Sequence, residues 1–178
     1  MKLTSGSLTI FVLLISIRIL AQSSAEKTEG RQNPKISLVA IAENIDKHDI
    51  AGIQNATKPA GVKSFDKYYK KAKAKNFATG TEDSVISYKS KEPIFTSNTV
   101  PYYFRIQEFD NGDVQVWYSL QAEEVEPATK EIKEAGFVFK GKSGVFDVYL
   151  KDSIVIKLPP IGAASGGTCY IYKIKIPK

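Results

Sequence analysis

Alternation of apolar and polar positions is clearest between Val100 and Gln121, where the runs Tyr102–Phe109 and Asp113–Gln121 meet at Asp110-Asn111-Gly112. A two-residue Asn-Gly turn would set Trp117 opposite Ile106 and mix polar with apolar groups on both faces. Because the side-chain period of a strand is two, a slip of one residue exchanges every face. A three-residue loop with Gly112 in the left-handed region instead aligns Ile106 with Val116, Phe104 with Tyr118 and Tyr102 with Leu120. The opposite face then pairs Gln107 with Gln115, Tyr103 with Ser119, and Arg105 with Trp117 in a cation–π arrangement. The same argument applied to Val145–Leu150 and Ile154–Leu158 predicts the three-residue loop Lys151-Asp152-Ser153, with Phe146, Val148 and Leu150 against Leu158, Ile156 and Ile154.

Toward the front of the chain the period becomes helical. Asn33-Pro34 has the form of a helix start, and Leu38, Ile41, Ala42 and Ile45 form one stripe on a helix that ends near Lys47 or His48. A shorter apolar piece, Asp49 to Asn55, extends it after a break. Ser64 reads as the cap of a second helix through about Asn76, with Phe65, Tyr68, Tyr69 and Ala72 as its buried stripe. Lys63, Lys67, Lys70, Lys71, Lys73 and Lys75 surround that stripe, opposed only by Asp66. Strands are expected at 84–89, 94–96, 137–140 and 169–176, and a short helix is expected from Pro127 to a stop at Gly136. The fold class is α+β: N-terminal helices packed on a mainly antiparallel sheet of about six or seven strands, open or partly closed. No sequence repeat is evident. A helix on an antiparallel meander resembles cystatin-like and small ligand-carrier folds in architecture, a likeness without shared motifs that implies no function.

Targeting and charge refine this picture. Lys2 precedes an apolar run from Leu8 to Ala21, followed by Gln22-Ser23-Ser24-Ala25, the pattern of a secretory signal peptide. The run is shorter than the roughly 20 residues needed to span a bilayer, and no second such run follows, so no transmembrane segment is expected. The expected organisation is a signal peptide over 1–21, with cleavage as late as 25, a flexible arm over 22–32 and a single domain over 33–178. Without Lys2 and Arg18, the 25 Lys and Arg become 23 against 19 Asp and Glu, so the mature chain is mildly basic at +4. Its location is expected to be extracellular, or periplasmic in a bacterium. Cys169 is the sole cysteine, which excludes an internal disulfide and leaves burial or an intermolecular bridge. Asn55-Ala56-Thr57 is an N-glycosylation sequon for a eukaryotic source, with Asn55 as the acceptor.

The candidate chemistry is sparse. His48 is the only histidine and reads as an exposed residue near a helix end; with Cys169 it matches no cysteine-hydrolase pattern. Zinc needs several His or Cys ligands. Asp110 and Asp113 suit a turn, and Glu123, Glu124 and Glu126 suit a helix start, so neither group defines a metal site. The glycine-rich stretch 161–168 lacks the lysine of a phosphate loop and reads as a strand connection whose small residues would also suit the rim of a ligand site. No cofactor or metal is expected.

The function class that survives is a secreted, non-enzymatic binding or extracellular-matrix protein. Its basic surface, Lys67, Lys70, Lys71, Lys73 and Lys75 with Arg105 and Trp117, would engage anionic polysaccharide or acidic matrix. Export disfavours nucleic acid as a partner. The alternative is a carrier for a small apolar ligand, with a pocket lined by Tyr102, Phe104, Val116 and Tyr118; a hydrolase ranks third. An open outer face on the first hairpin would make Arg105, Trp117 and Tyr103 a better contact site than the lysine segment.

Overall fold

A computed structural model describes residues 36–175, with the side chains of residues 69–72 outside that description. The expected signal peptide, the arm and the Asn33-Pro34 helix start lie outside the described residues. Helices α1 (Leu38–Asp46) and α2 (Ile50–Ala56) and a short 3-10 turn (Lys58–Ala60) come first. Strands β1 (Phe65–Lys75), β2 (Glu82–Ser90), β3 (Phe95–Ser97), β4 (Val100–Tyr102), β5 (Arg105–Phe109) and β6 (Val114–Leu120) follow. Helix α3 (Ala122–Glu134) then leads to β7 (Val138–Ser143), β8 (Phe146–Lys151), β9 (Ile154–Leu158) and β10 (Gly167–Lys173).

Eight strands form one antiparallel sheet in the order β1-β2-β5-β6-β10-β9-β8-β7, and β3 with β4 forms a separate small hairpin. The α+β class and the antiparallel sheet stand; the sheet has more strands than expected and is open, with β1 and β7 as its edges. The order reads alike from either edge. Each half is a helix followed by a four-stranded meander, and the two meanders join where β6 pairs with β10. This duplication is one of topology, with no counterpart in the sequence.

The first hairpin has the register that face-matching requires. Arg105 lies opposite Trp117, Ile106 opposite Val116 and Gln107 opposite Gln115. Gly112 takes φ +83°, in the left-handed region where a side chain is strained. The pairing stops earlier than expected: Tyr102 leaves the ladder to join β4 opposite Phe95, and Leu120 pairs with Gly167 instead. Pro101 has no N–H to donate to a central ladder, so the run breaks behind it.

Three expectations are corrected. The segment at 64–76 is the edge strand β1, not a helix: Phe65 packs edge-on against Phe104 at 6.2 Å, while Tyr68 is exposed. Its aromatics satisfy helical spacing and strand propensity alike, and the neighbouring β2 decides the matter by supplying a hydrogen-bonded ladder. The second hairpin has a two-residue loop, Asp152-Ser153, with Asp152 at φ +50°, which sets Tyr149 against Ile156 and Asp147 against Leu158. Ile154, Val155 and Ile156 are all buried, so beside the turn both faces of β9 are apolar and alternation there carries no register information. Helix α3 starts at Ala122, not Pro127, because Gln121 and Glu124 form a reciprocal capping box that begins the helix a turn earlier. Its end is as expected: Gly136 follows the helix with φ +90°.

The core lies between the helices and one face of the sheet. Leu38, Ile41 and Ile45 of α1 and Val125, Ala128 and Ile132 of α3 are buried against the inner row of Ile106, Val116, Ile171 and Ile156. The helices are also tied to each other, since Glu131 of α3 accepts from the Ser37 hydroxyl and from the Leu38 N–H at 3.2 Å, capping α1 across the interface.

Candidate functional site

Burial of Ile106, Val116 and Ile171 on the helix side fixes what the same strands present on the other side. There a single row crosses the sheet in register: Lys89 of β2 faces Arg105 of β5, and Arg105 faces Trp117 of β6. Trp117 faces Tyr170 of β10, and Tyr170 faces Lys157 of β9. With strands about 4.8 Å apart, the row from Lys89 to Lys157 is about 19 Å long. Its five side chains are all half-buried and so remain reachable from solvent.

The electrostatics are those of cations set on aromatic faces. The Arg105 guanidinium lies 4.7 Å from the Trp117 ring centroid, Lys89 Nζ lies 3.8 Å from Tyr103, and Lys157 Nζ lies 5.7 Å from Tyr172. Phe146 meets Tyr170 edge-on at 5.4 Å and Phe77 meets it at 5.1 Å, holding the ring in place. Among the described residues Lys89, Arg105 and Lys157 enter no ion pair, so no described carboxylate neutralises them at contact.

The β1–β2 loop borders the row on one side. The Phe77 N–H donates to Gln115 Oε1 at 3.0 Å, and Gln115 Nε2 donates to the Lys75 carbonyl at 3.0 Å and to Gln107 at 2.7 Å. Buried Asn76 donates to Asp113 at 2.8 Å and to Asp83 at 3.2 Å. These bonds close the lower part of the outer face over Gln115 and Tyr172, so the open part starts at Trp117 and Tyr170.

Arg105 and Trp117 therefore stand at the centre of this surface, with Tyr103 beside it. The lysines do not join them. Lys67 faces Tyr88, Lys73 faces Ser84 and Lys75 faces Glu82, positions whose register puts them on the helix side of the sheet, away from Arg105. The side chains of Lys70 and Lys71 lie outside the description. As part of an edge strand with a bulge between Tyr69 and Lys73, the lysine run has the features that keep a sheet edge from pairing with another chain. Lys89 and Tyr170 were not found from the sequence, because only the long-range pairings of β2 with β5 and of β6, β9 and β10 bring them into line with Lys157.

The other candidates disperse. His48 is exposed and its Nε2 bonds the Gly112 carbonyl, pinning the α1–α2 junction to the first hairpin loop. Cys169 is fully buried in the core, and that burial pushes its thiol far above the ordinary range. Phe104, Val116 and Tyr118 are buried too, with the Phe104 and Tyr118 rings 5.0 Å apart, while Tyr102 stacks on Phe95 outside the main sheet. Asn55 is exposed on α2, and the Thr57 hydroxyl donates to the Gln54 carbonyl at 2.7 Å. Among the described residues no cluster of three or more His, Cys, Asp or Glu could hold a metal ion, and no helix is long and apolar enough to cross a membrane. Comparison with protein-family models, with curated proteins and with solved structures finds no match to this chain.

Proposed function

We propose that this is a secreted, non-enzymatic binding protein that holds anionic polysaccharide, free or in an acidic matrix, on the outer face of its sheet. The observation that carries the reading is the Lys89-Arg105-Trp117-Tyr170-Lys157 row. A sugar ring presents C–H groups to an indole or phenol face, and its carboxylate or sulfate is attracted to the cations flanking that face. The row favours this ligand over an apolar one, because Phe104, Val116 and Tyr118, the residues a carrier pocket would use, pack against one another in the core.

Affinity of the purified domain for heparin and for polygalacturonate, measured by calorimetry at several salt concentrations, tests the proposal. Trp117→Ala is expected to weaken binding at least tenfold, and Arg105→Gln with Lys157→Gln to weaken it and flatten its salt dependence. Unchanged affinity in both variants would overturn the assignment.

A further inference from the structure

The glycine-rich loop and the β3–β4 hairpin stand on either side of a cleft of about 610 Å3 at the end of the sheet. Its floor includes Ser119 and Thr168, a cross-strand pair two residues beyond Trp117 and Tyr170 on the same outer face. That step is about 7 Å along the strands, the scale of one sugar residue. One wall is the aromatic pair Phe95 and Tyr102, stacked at 4.6 Å with their planes 14° apart. The other wall is the loop, with Ala164 and Ser165 at its lip.

The loop is seated by backbone. Gly166 has φ +69°, and a Cβ built on it would lie 2.1 Å from the Leu120 carbonyl oxygen, so only glycine lets the loop sit on the end of β6. Opposite it, the hairpin turns through Asn98 at φ +46° and Thr99 at φ +67°, and a β-branched residue in that region is held there at a cost. No Lys, Arg or His lines the cleft, and Glu123 is its one charged side chain. Hydroxyls, an amide and an aromatic wall thus adjoin a cationic row.

Resting on the proposed function, we infer that the cleft is a subsite for an uncharged sugar of the same polysaccharide. The chain would then run along β6 and β10, an anionic sugar over Trp117 and Tyr170 and a neutral one against Phe95 and Tyr102. A carboxylate pushed into the cleft would lose hydration beside Glu123 and meet no cation, whereas neutral hydroxyls find Ser119, Thr168, Asn98 and Glu123 as partners. The preferred ligand is a polysaccharide in which charged and uncharged sugars alternate.

Hyaluronan oligosaccharides, which alternate, and oligogalacturonates of equal length, in which every sugar is charged, separate the possibilities by calorimetry. The protein is expected to bind hyaluronan at least tenfold more tightly. Ser165→Trp, at an exposed lip position, is expected to remove that preference without changing the affinity for galacturonate. Phe95→Ala should act in the same direction, with thermal melts verifying that both variants fold. Equal affinity of the unaltered protein for the two ligands, or a preference that survives both substitutions, overturns the cleft assignment while the outer row stands. Failure of both ligands to bind overturns the row itself.

Discussion

The two faces of the sheet are built from the same strands, yet they came to opposite ends. On the inner face Ile106, Val116, Ile156 and Ile171 are sealed under α1 and α3. On the outer face their neighbours Arg105, Trp117, Lys157 and Tyr170 remain half-buried, and the two cations among them enter no ion pair with a described residue. Period-two alternation makes each face the complement of the other, so the register that completes the core also aligns the row. Packing accounts for the inner row of Ile106, Val116, Ile156 and Ile171; it leaves the outer aromatics and cations without a structural task of comparable weight.

Substitutions should separate the faces, and the largest effect belongs to the inner one. Phe104→Ala is expected to cost about 3–5 kcal/mol in urea unfolding, through lost burial and the cavity left beside Tyr118 and Phe65. Gly112→Val acts on the turn that sets both faces; its left-handed φ makes a cost of about 1–2 kcal/mol the expected result, read from the same titration. Trp117→Ala should cost about 1 kcal/mol of stability while removing most of the polysaccharide affinity, and a stability loss matching that of Phe104→Ala would assign the tryptophan to the core instead. Cys169, an inner-face thiol, should resist a water-soluble disulfide reagent until urea unfolds the chain, then react in full.

The smallest effect concerns the Asp46–Lys173 pair, 2.7 Å apart, which ties α1 to β10. The bond from Lys173, and then its charge, hold the Asp46 carboxyl below its ordinary range. A carboxyl with a depressed folded pKa stabilises the fold above its unfolded pKa, and that contribution is lost as the pH falls through the folded value. Both side chains are substantially exposed, so Asp46→Asn should cost only a few tenths of a kcal/mol at pH 7. No difference from the unaltered protein should remain once the pH is well below about 4.

What could be read before the fold was known was local. The stripe Leu38, Ile41, Ala42 and Ile45, the stop at Gly136 and the three-residue turn at Gly112 each depend on neighbours within a few residues, and each is present. The candidate site was legible in half: Arg105 and Trp117 share one hairpin, and its face-matching set them side by side. Tertiary structure decided the rest. It made β1 a strand by laying β2 beside it, shifted the second hairpin by burying both faces of β9, and drew Lys89, Tyr170 and Lys157 into one line with Trp117. Sequence alone determined the period of each segment and the turns between near neighbours, because those depend on local sterics and the polarity of adjacent residues. Which strands lie side by side, and so which side chains form a surface, follows from burying every apolar face at once, a condition that no single segment contains.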